Sequence, residues 1–217
     1  MSLFKDRRAA GQFLALELAG YANRPDVLVL ALPRGGVPVA FEVAKALNAP
    51  LDVFVVRKLG VPNQEELAMG AIASGGVRVL NQDIVRQRFV SNQAIERVTA
   101  NEQQELERRE RLYRGDRLFP IVKGRTVIIV DDGLATGATM RAAVVALRKQ
   151  QPASIIVAVP VSPPETYQEL QAEVDEIICA FIPNDFNSVG SCYENFPPTS
   201  DAEVSKLLEI AANPINH

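Results

Sequence analysis

Histidine is almost missing from this chain: the one copy, His217, is the last of 217 residues. A histidine general base is therefore not expected. Tryptophan is absent, and the two cysteines, Cys179 and Cys192, are too few for a disulfide framework or a four-ligand zinc site. No apolar run reaches the length of a membrane helix, and the opening "MSLFKDRRAAGQ" has no signal-peptide core. Basic residues are not in excess either. Lys and Arg number 23 against 26 Asp and Glu, a net charge of −3, so neither a nucleic-acid nor a membrane partner is expected. These absences together lead to the expectation of a cytoplasmic protein.

What is present is ordinary for a globular domain: 47% hydrophobic and 23% charged residues, in a chain long enough to bury one core. Short apolar runs alternate with helical patterns, the signature of βαβ units and a parallel sheet. Strands are expected at 26–32, 51–57, 125–132, 154–161 and 176–182, with helices at 37–47, 138–150 and 164–173. The strands are apolar throughout, as in a sheet covered on both faces. The expected class is thus α/β, doubly wound and mainly parallel, in one domain spanning 1–217 with its core at about 24–182.

Two segments interrupt the alternation. An insertion at about 59–115 opens with a loop, "KLGVPNQEEL". "MGAIAS" and "VRVL" follow as a potential hairpin, and then a polar helix over about 91–114. Glu105–Arg109, Glu107–Arg111 and Glu110–Arg114 sit at i, i+4 on that helix, and Ile95, Val98, Leu106 and Leu112 form its apolar stripe. The second segment, a hood over 183–217, contains "PNDFNSVGSCYENFPP" and a closing helix that Ser200 and Glu203 would start as a capping box.

The stretch "VIIVDDGLATGAT" (127–139) carries the chemistry. Asp131 and Asp132 end a buried strand, and ligands of such sheets bind at the carboxyl ends of strands. The following loop leads into a helix N-terminus, where free amides and the helix dipole attract an anion. Ala135, Thr136, Gly137, Ala138 and Thr139 would hold a phosphate. Carboxylates repel phosphate, so the acids need another ligand, either vicinal hydroxyls or a metal. A sugar phosphate satisfies both halves. The loop is no nucleoside-triphosphatase cradle, because Gly-Lys-Ser/Thr is missing. A second turn, "LPRGG" (32–36), offers Arg34 with the amides of Gly35 and Gly36 to another anion, and "VVRKLG" places Arg57 and Lys58 at a neighbouring strand end.

"VDDGLATGATM" resembles the phosphoribosyl-diphosphate (PRPP) motif of the type I phosphoribosyltransferases, and the order of elements is similar over about 26–182. "PRGGVPVA", "VRKLG" and "ELAMGAIA" together look like the branch known as predicted phosphoribosyltransferases. The resemblance implies a Mg²⁺-dependent transfer of phosphoribosyl from PRPP to an acceptor, expected to be a nitrogenous base, with release of diphosphate. It implies that Asp131 and Asp132 hold the ribose hydroxyls, directly or through metal-bound water, and that 135–139 hold the 5′-phosphate. Arg34, Gly35, Gly36 and Lys58 would bind the diphosphate, with Arg34, Arg57 and Lys58 stabilising its departure. A cis peptide at Pro33–Arg34 and a homodimer are further implications.

The resemblance also has gaps. The 6-oxopurine enzymes have aspartate at the position of Ala135 and lysine at that of Ala138, which argues against hypoxanthine or guanine as acceptor. No basic residue lies between Lys58 and Arg78, where orotate-type enzymes have a lysine and a histidine; Glu65 and Glu66 stand there. Phe181, Phe186, Tyr193 and Phe196 cluster beside the last strand, either as a stacking surface for a flat acceptor or as a small core under the hood. Asn184, Asp185 and Asn187 are available to read an acceptor's edge. A sensor of PRPP or a nucleotide on the same fold is the alternative function, and a docking role for the polar helix is a third.

Overall fold

Five strands, all but the last in sequence, an edge strand, fully or mostly buried, form the centre of the computed structural model, which describes residues 2–213. They are β1 (Val27–Ala31), β2 (Leu51–Val53), β6 (Thr126–Val130), β7 (Ser154–Val161) and β8 (Glu176–Phe181), all parallel, in the order β2-β1-β6-β7-β8. Because side chains alternate across a strand, two cores result. Val27, Val29, Ala31, Ile128, Val130, Ile156 and Ala158 face one side of the sheet. Leu28, Leu30, Val127, Ile129, Ile155 and Val157 face the other. Helices α1 (Arg7–Glu17), α2 (Gly36–Leu47) and α7 (Asp201–Ala212) cover the first face, and α5 (Ala138–Lys149) and α6 (Pro164–Gln171) the second. This is the expected doubly wound class.

The strand expected over 51–57 is in fact two. β2 stops at Val53, and a separate antiparallel sheet begins with β3 (Val56–Val61), paired to β4 (Gln64–Ala73) and β5 (Val77–Leu80). Ser74 makes the break by pairing with Val55: its Oγ accepts from Val55 N–H and its own N–H donates to Val55 O, both at 2.9 Å. Most of the expected loop "KLGVPNQEEL" is therefore hairpin. Leu59 and Val61 alternate inward on β3, and the turn is set by Pro62 and by Asn63, whose φ is +65°. The hairpin expected at "MGAIAS" and "VRVL" forms as β4–β5.

A short helix α3 (Gln82–Gln87), not anticipated, precedes α4 (Asn92–Arg114). Ser91 Oγ caps α4 by accepting from Ala94 N–H. Ile95 and Leu106 are buried on α4 as expected, but Leu112 is 43% exposed, and Tyr113 takes the inner position seven residues after Leu106. The Glu105–Arg109 and Glu110–Arg114 pairs form at 2.7 and 3.3 Å, whereas Glu107 accepts from Gln103 instead. Ser200 Oγ caps α7 by accepting from Glu203 N–H at 3.1 Å.

The sequence reading also missed α1. Its signal was available: Asp6 at the N-cap accepts from Ala9 N–H, and Ala10, Leu14 and Leu18 recur at i, i+4 with no exposure. The segment before α1 is tied to the hood, since Leu3 and Phe4 donate to Cys192 O and Glu194 N–H donates to Phe4 O. No described helix is long and apolar enough to cross a membrane. His217 lies outside the described residues.

Candidate functional site

The loop between β6 and α5 encloses a cavity of about 200 Å³ lined by Asp131, Gly133 to Met140 and Val189. Its walls are set by small residues. A Cβ on Gly133 would lie 2.7 Å from Val189 Cγ1, and Gly137 caps α5 at φ +69°, a conformation that favours glycine. Leu134 is buried and donates its N–H to Val161 O, and Ala135 O accepts from Thr166 Oγ1 at 2.7 Å. These two contacts pin the loop at Leu134 and Ala135. Ala138 N–H is 3.4 Å from Thr136 Oγ1, while the amides of Ala135, Thr136, Gly137 and Thr139 have no partner among the described residues. Ala135, Thr136, Ala138 and Thr139 are exposed. Free amides at the start of a twelve-residue helix make an anion cradle.

The acidic pair borders that cradle. Asp131 Oδ1 accepts from Asp132 N–H at 2.8 Å. Burial, and then the charge of Asp132, push the Asp131 carboxyl well above the usual carboxylate range. Asp132 is held from three directions. Arg7 Nε donates to its Oδ2 at 2.8 Å, Tyr193 Oη donates to its backbone O at 2.6 Å, and the β1–α2 turn packs against it. Gly35 is so close that a Cβ there would sit 2.1 Å from Asp132 Oδ2. A Cβ on Gly36 would meet Val130 O at 2.7 Å and Asp131 Cα at 2.9 Å. The two glycines of "LPRGG" thus let the first turn rest on the acidic pair, and the Pro33–Arg34 peptide in that turn is cis.

The candidate cations each carry an acidic partner. Arg34 Nη1 is 3.9 Å from Asp201 Oδ1, at the start of α7, with its side chain 49% exposed. Tyr113 Oη donates to the same Asp201 oxygen at 2.7 Å. Arg57 pairs with Glu102 of α4 at 2.7 Å, and Lys58 with Glu66 of the hairpin at 3.3 Å. Arg57 and Lys58 sit on β3 of the small sheet, not at the end of a parallel strand. They line a groove of about 540 Å³ between the β3–β4 hairpin and α4, along with Glu65, Arg97 and Asn101. No residue lines both this groove and the anion cavity.

The hood aromatics are packed. Tyr193 is only 6% exposed and stacks on Phe196 at 4.8 Å between centroids. Phe181 meets Phe4 and Phe13 edge-on or tilted at 5.4 and 5.3 Å, and Phe186 is half-buried in the same cluster. Asn184, Asp185 and Asn187 are exposed at its rim. The residue that sequence reasoning missed is Arg7. Its only signal lay in the N-cap pattern that starts α1, which puts Arg7 at the first helical position.

The loop thus sets a row of helix-start amides beside two carboxylates at the carboxyl edge of a parallel sheet. The phosphoribosyl transferase domain family matches residues 4–194, and the chain belongs to that family. It is 50% identical over 212 residues to a Mycobacterium tuberculosis protein named "Putative phosphoribosyl transferase Rv0571c", a match that covers 97% of this chain. The chain spans about half the length of that relative, 47%. The crystal structure of TT1426 from Thermus thermophilus superimposes with a TM-score of 0.85 at 41% identity, covering 96% of this chain and 98% of that one. The AQ2163 protein from Aquifex aeolicus, at 14% identity and a TM-score of 0.50 over 85% of this chain and 78% of that one, shares the fold.

Proposed function

We propose that this protein is a phosphoribosyltransferase that takes PRPP and transfers its phosphoribosyl group to a nitrogenous acceptor. The observation that carries this reading is the set of unpartnered amides at Ala135, Thr136, Gly137 and Thr139 next to the Asp131–Asp132 pair. The amides take a 5′-phosphate and the acids take ribose hydroxyls, the two ends of one sugar phosphate. In the reaction, an acceptor nitrogen forms a bond to the sugar's anomeric carbon as the carbon–oxygen bond to diphosphate breaks. The bonding pair leaves with the diphosphate. Charge builds on both fragments, so preorganised groups that meet it lower the barrier. Arg34, with the Gly35 amide, meets the departing diphosphate, and Arg57 and Lys58 approach it from the hairpin. The Gly36 amide, expected to join them, instead donates to Leu32 O at 3.1 Å and closes the turn.

The described residues hold no cluster of three or more metal-ligating side chains. Mg²⁺ binds largely through substrate phosphates and water with one or two carboxylates, and the adjacent Asp131 and Asp132 offer that donor set. Asp131 and Asp132 would hold it, and bound there it would neutralise diphosphate charge. The packed aromatics support an acceptor bound at the rim of the hood rather than between its rings. The alternative, a PRPP or nucleotide sensor, draws support from the acids that already engage Arg34, Arg57 and Lys58.

Calorimetric titration of PRPP with Mg²⁺ tests the reading: micromolar binding is expected, and none would sink it. Diphosphate release on addition of a base panel then separates enzyme from sensor. In the same titration Glu102→Gln is expected to tighten PRPP binding by about two- to fivefold, since partly exposed ion pairs are worth up to ~1 kcal/mol. Unchanged affinity would mean that Arg57 does not reach the ligand.

A further inference from the structure

Asp132 meets a residue that no motif of the fold marks. Arg7 begins α1, outside the βαβ core, and its side chain is only 11% exposed against 15% for Asp132. The guanidinium is fixed by more than this pair. Its carbon lies 3.7 Å from the centroid of the Phe196 ring, and Nη1 donates to Pro197 O at 2.7 Å. Tyr193, stacked on Phe196, donates to Asp132 O. One short stretch of the hood, 193–197, therefore clamps the arginine and the acid together.

The geometry of the pair is unusual for a merely stabilising contact. An arginine that serves only to bind a carboxylate commonly uses its two-pronged fork on both oxygens. Here one nitrogen, Nε, meets one oxygen, Oδ2, and Nη1 turns away to a backbone carbonyl. No N–H or alcohol O–H of the described residues donates to Asp132 Oδ1, although the Asp131 and Asp132 carboxyls lie within hydrogen-bonding reach of each other. Buried ion pairs are in any case weak contributors to stability, because desolvation offsets their attraction. The arrangement makes better sense as orientation: one carboxylate oxygen fixed, the other left as an acceptor. It also places a positive charge on an acidic pair that would otherwise repel an anion bound in the adjoining loop.

We propose that Arg7 is a positioning residue of the ribose subsite, holding Asp132 through Oδ2 so that Oδ1 accepts from a sugar hydroxyl. The inference rests on the phosphoribosyl reading and adds a residue from α1 to its sugar site. A positioning role has a signature that a structural one lacks. Loss of Arg7 must cost the hydroxyl contact and spare the phosphate contact.

The test titrates ribose 5-phosphate, 2-deoxyribose 5-phosphate and 3-deoxyribose 5-phosphate into the full chain. The proteins are the wild type, Asp132→Asn, Arg7→Gln and Arg7→Lys, each with a thermal melt. The wild type is expected to prefer ribose 5-phosphate over at least one analogue by about tenfold or more, the worth of a hydrogen bond to a charged group. The preference that Asp132→Asn abolishes identifies the hydroxyl held by Asp132. Arg7→Gln is expected to abolish that same preference while its affinity for the corresponding analogue stays within about twofold. Lysine keeps the charge but loses the stacking and the directed Nε–H, so Arg7→Lys is expected to fall between the two. Arg7→Gln overturns the inference if it keeps the wild-type preference, or if it weakens all three ligands alike. Should Arg7→Gln fail to fold, Arg7→Lys decides, and a preference equal to the wild type's overturns the inference. A wild type that binds all three sugars equally would overturn the phosphoribosyl reading and this inference with it.

Discussion

Asp131→Asn is expected to raise the melting temperature of the metal-free protein at pH 8 by a few degrees, while weakening PRPP binding about a hundredfold. Burial and the neighbouring Asp132 charge raise the folded-state pKa of Asp131. A group raised in this way adds stability below its unfolded pKa, and that stability is lost as pH rises through the folded value. At pH 8, far above the unfolded value, keeping Asp131 in the folded site is thus a cost that asparagine removes. Asparagine also keeps an oxygen for the Asp132 N–H that Asp131 Oδ1 now accepts. Near pH 4 or below, where Asp131 is protonated, the two proteins are expected to converge. Binding moves the other way, because a neutral amide replaces a charged acceptor for ribose hydroxyls and for metal-bound water. Melts across the pH range with a parallel titration check both halves. A variant less stable than the wild type at pH 8 would show that the acidic pair is not held at a cost.

Gly36→Ala is expected to destabilise the protein by about 2 kcal/mol and to lower its melting temperature by roughly 5 °C. Gly36 starts α2, and helix propensity alone would favour alanine by about 1 kcal/mol. Sterics decide the sign. The new Cβ would press on Val130 O and Asp131 Cα, backbone atoms at the end of β6. β6 is paired on both edges, to β1 and β7, so it cannot retreat and α2 must shift. Gly35→Ala makes an informative contrast, because its Cβ meets the Asp132 carboxylate rather than backbone, and Asp132 can yield by giving up its contact with Arg7. Its expected effect falls on ligand binding, through a displaced Asp132, with a smaller change in melting temperature. A Gly35→Ala variant that melts below Gly36→Ala would overturn this assignment of the two glycines.

The central sheet was legible because its strands are apolar without interruption. Val27–Ala31 and Thr126–Val130 are buried at every residue, as only a sheet covered on both faces requires. The anion loop was legible for a different reason. Adjacent acids followed by glycine and threonine residues leave the backbone few uses other than meeting a ligand, and those positions lie together in sequence. The β3–β4 hairpin was missed although Pro62-Asn63 and the inward Leu59 and Val61 signalled it, because "VVRKLG" reads equally well as the end of a parallel strand. The break depends on Ser74 reaching back to Val55, nineteen residues away.

The sequence by itself determined the class of fold, the strand that carries Asp131 and Asp132, and the helix start that offers their anion cradle. These follow from local periodicity and from backbone chemistry within a few residues. Tertiary structure alone decided the partners of the charged groups. Arg7 reaches Asp132 across 125 residues, Glu102 reaches Arg57 across 45, and Asp201 meets both Tyr113 and Arg34. Such pairs leave no spacing in the sequence, because they are set by which helix faces the sheet edge after the core has packed. Whether a carboxylate at that edge is free, paired or turned is a property of the folded chain.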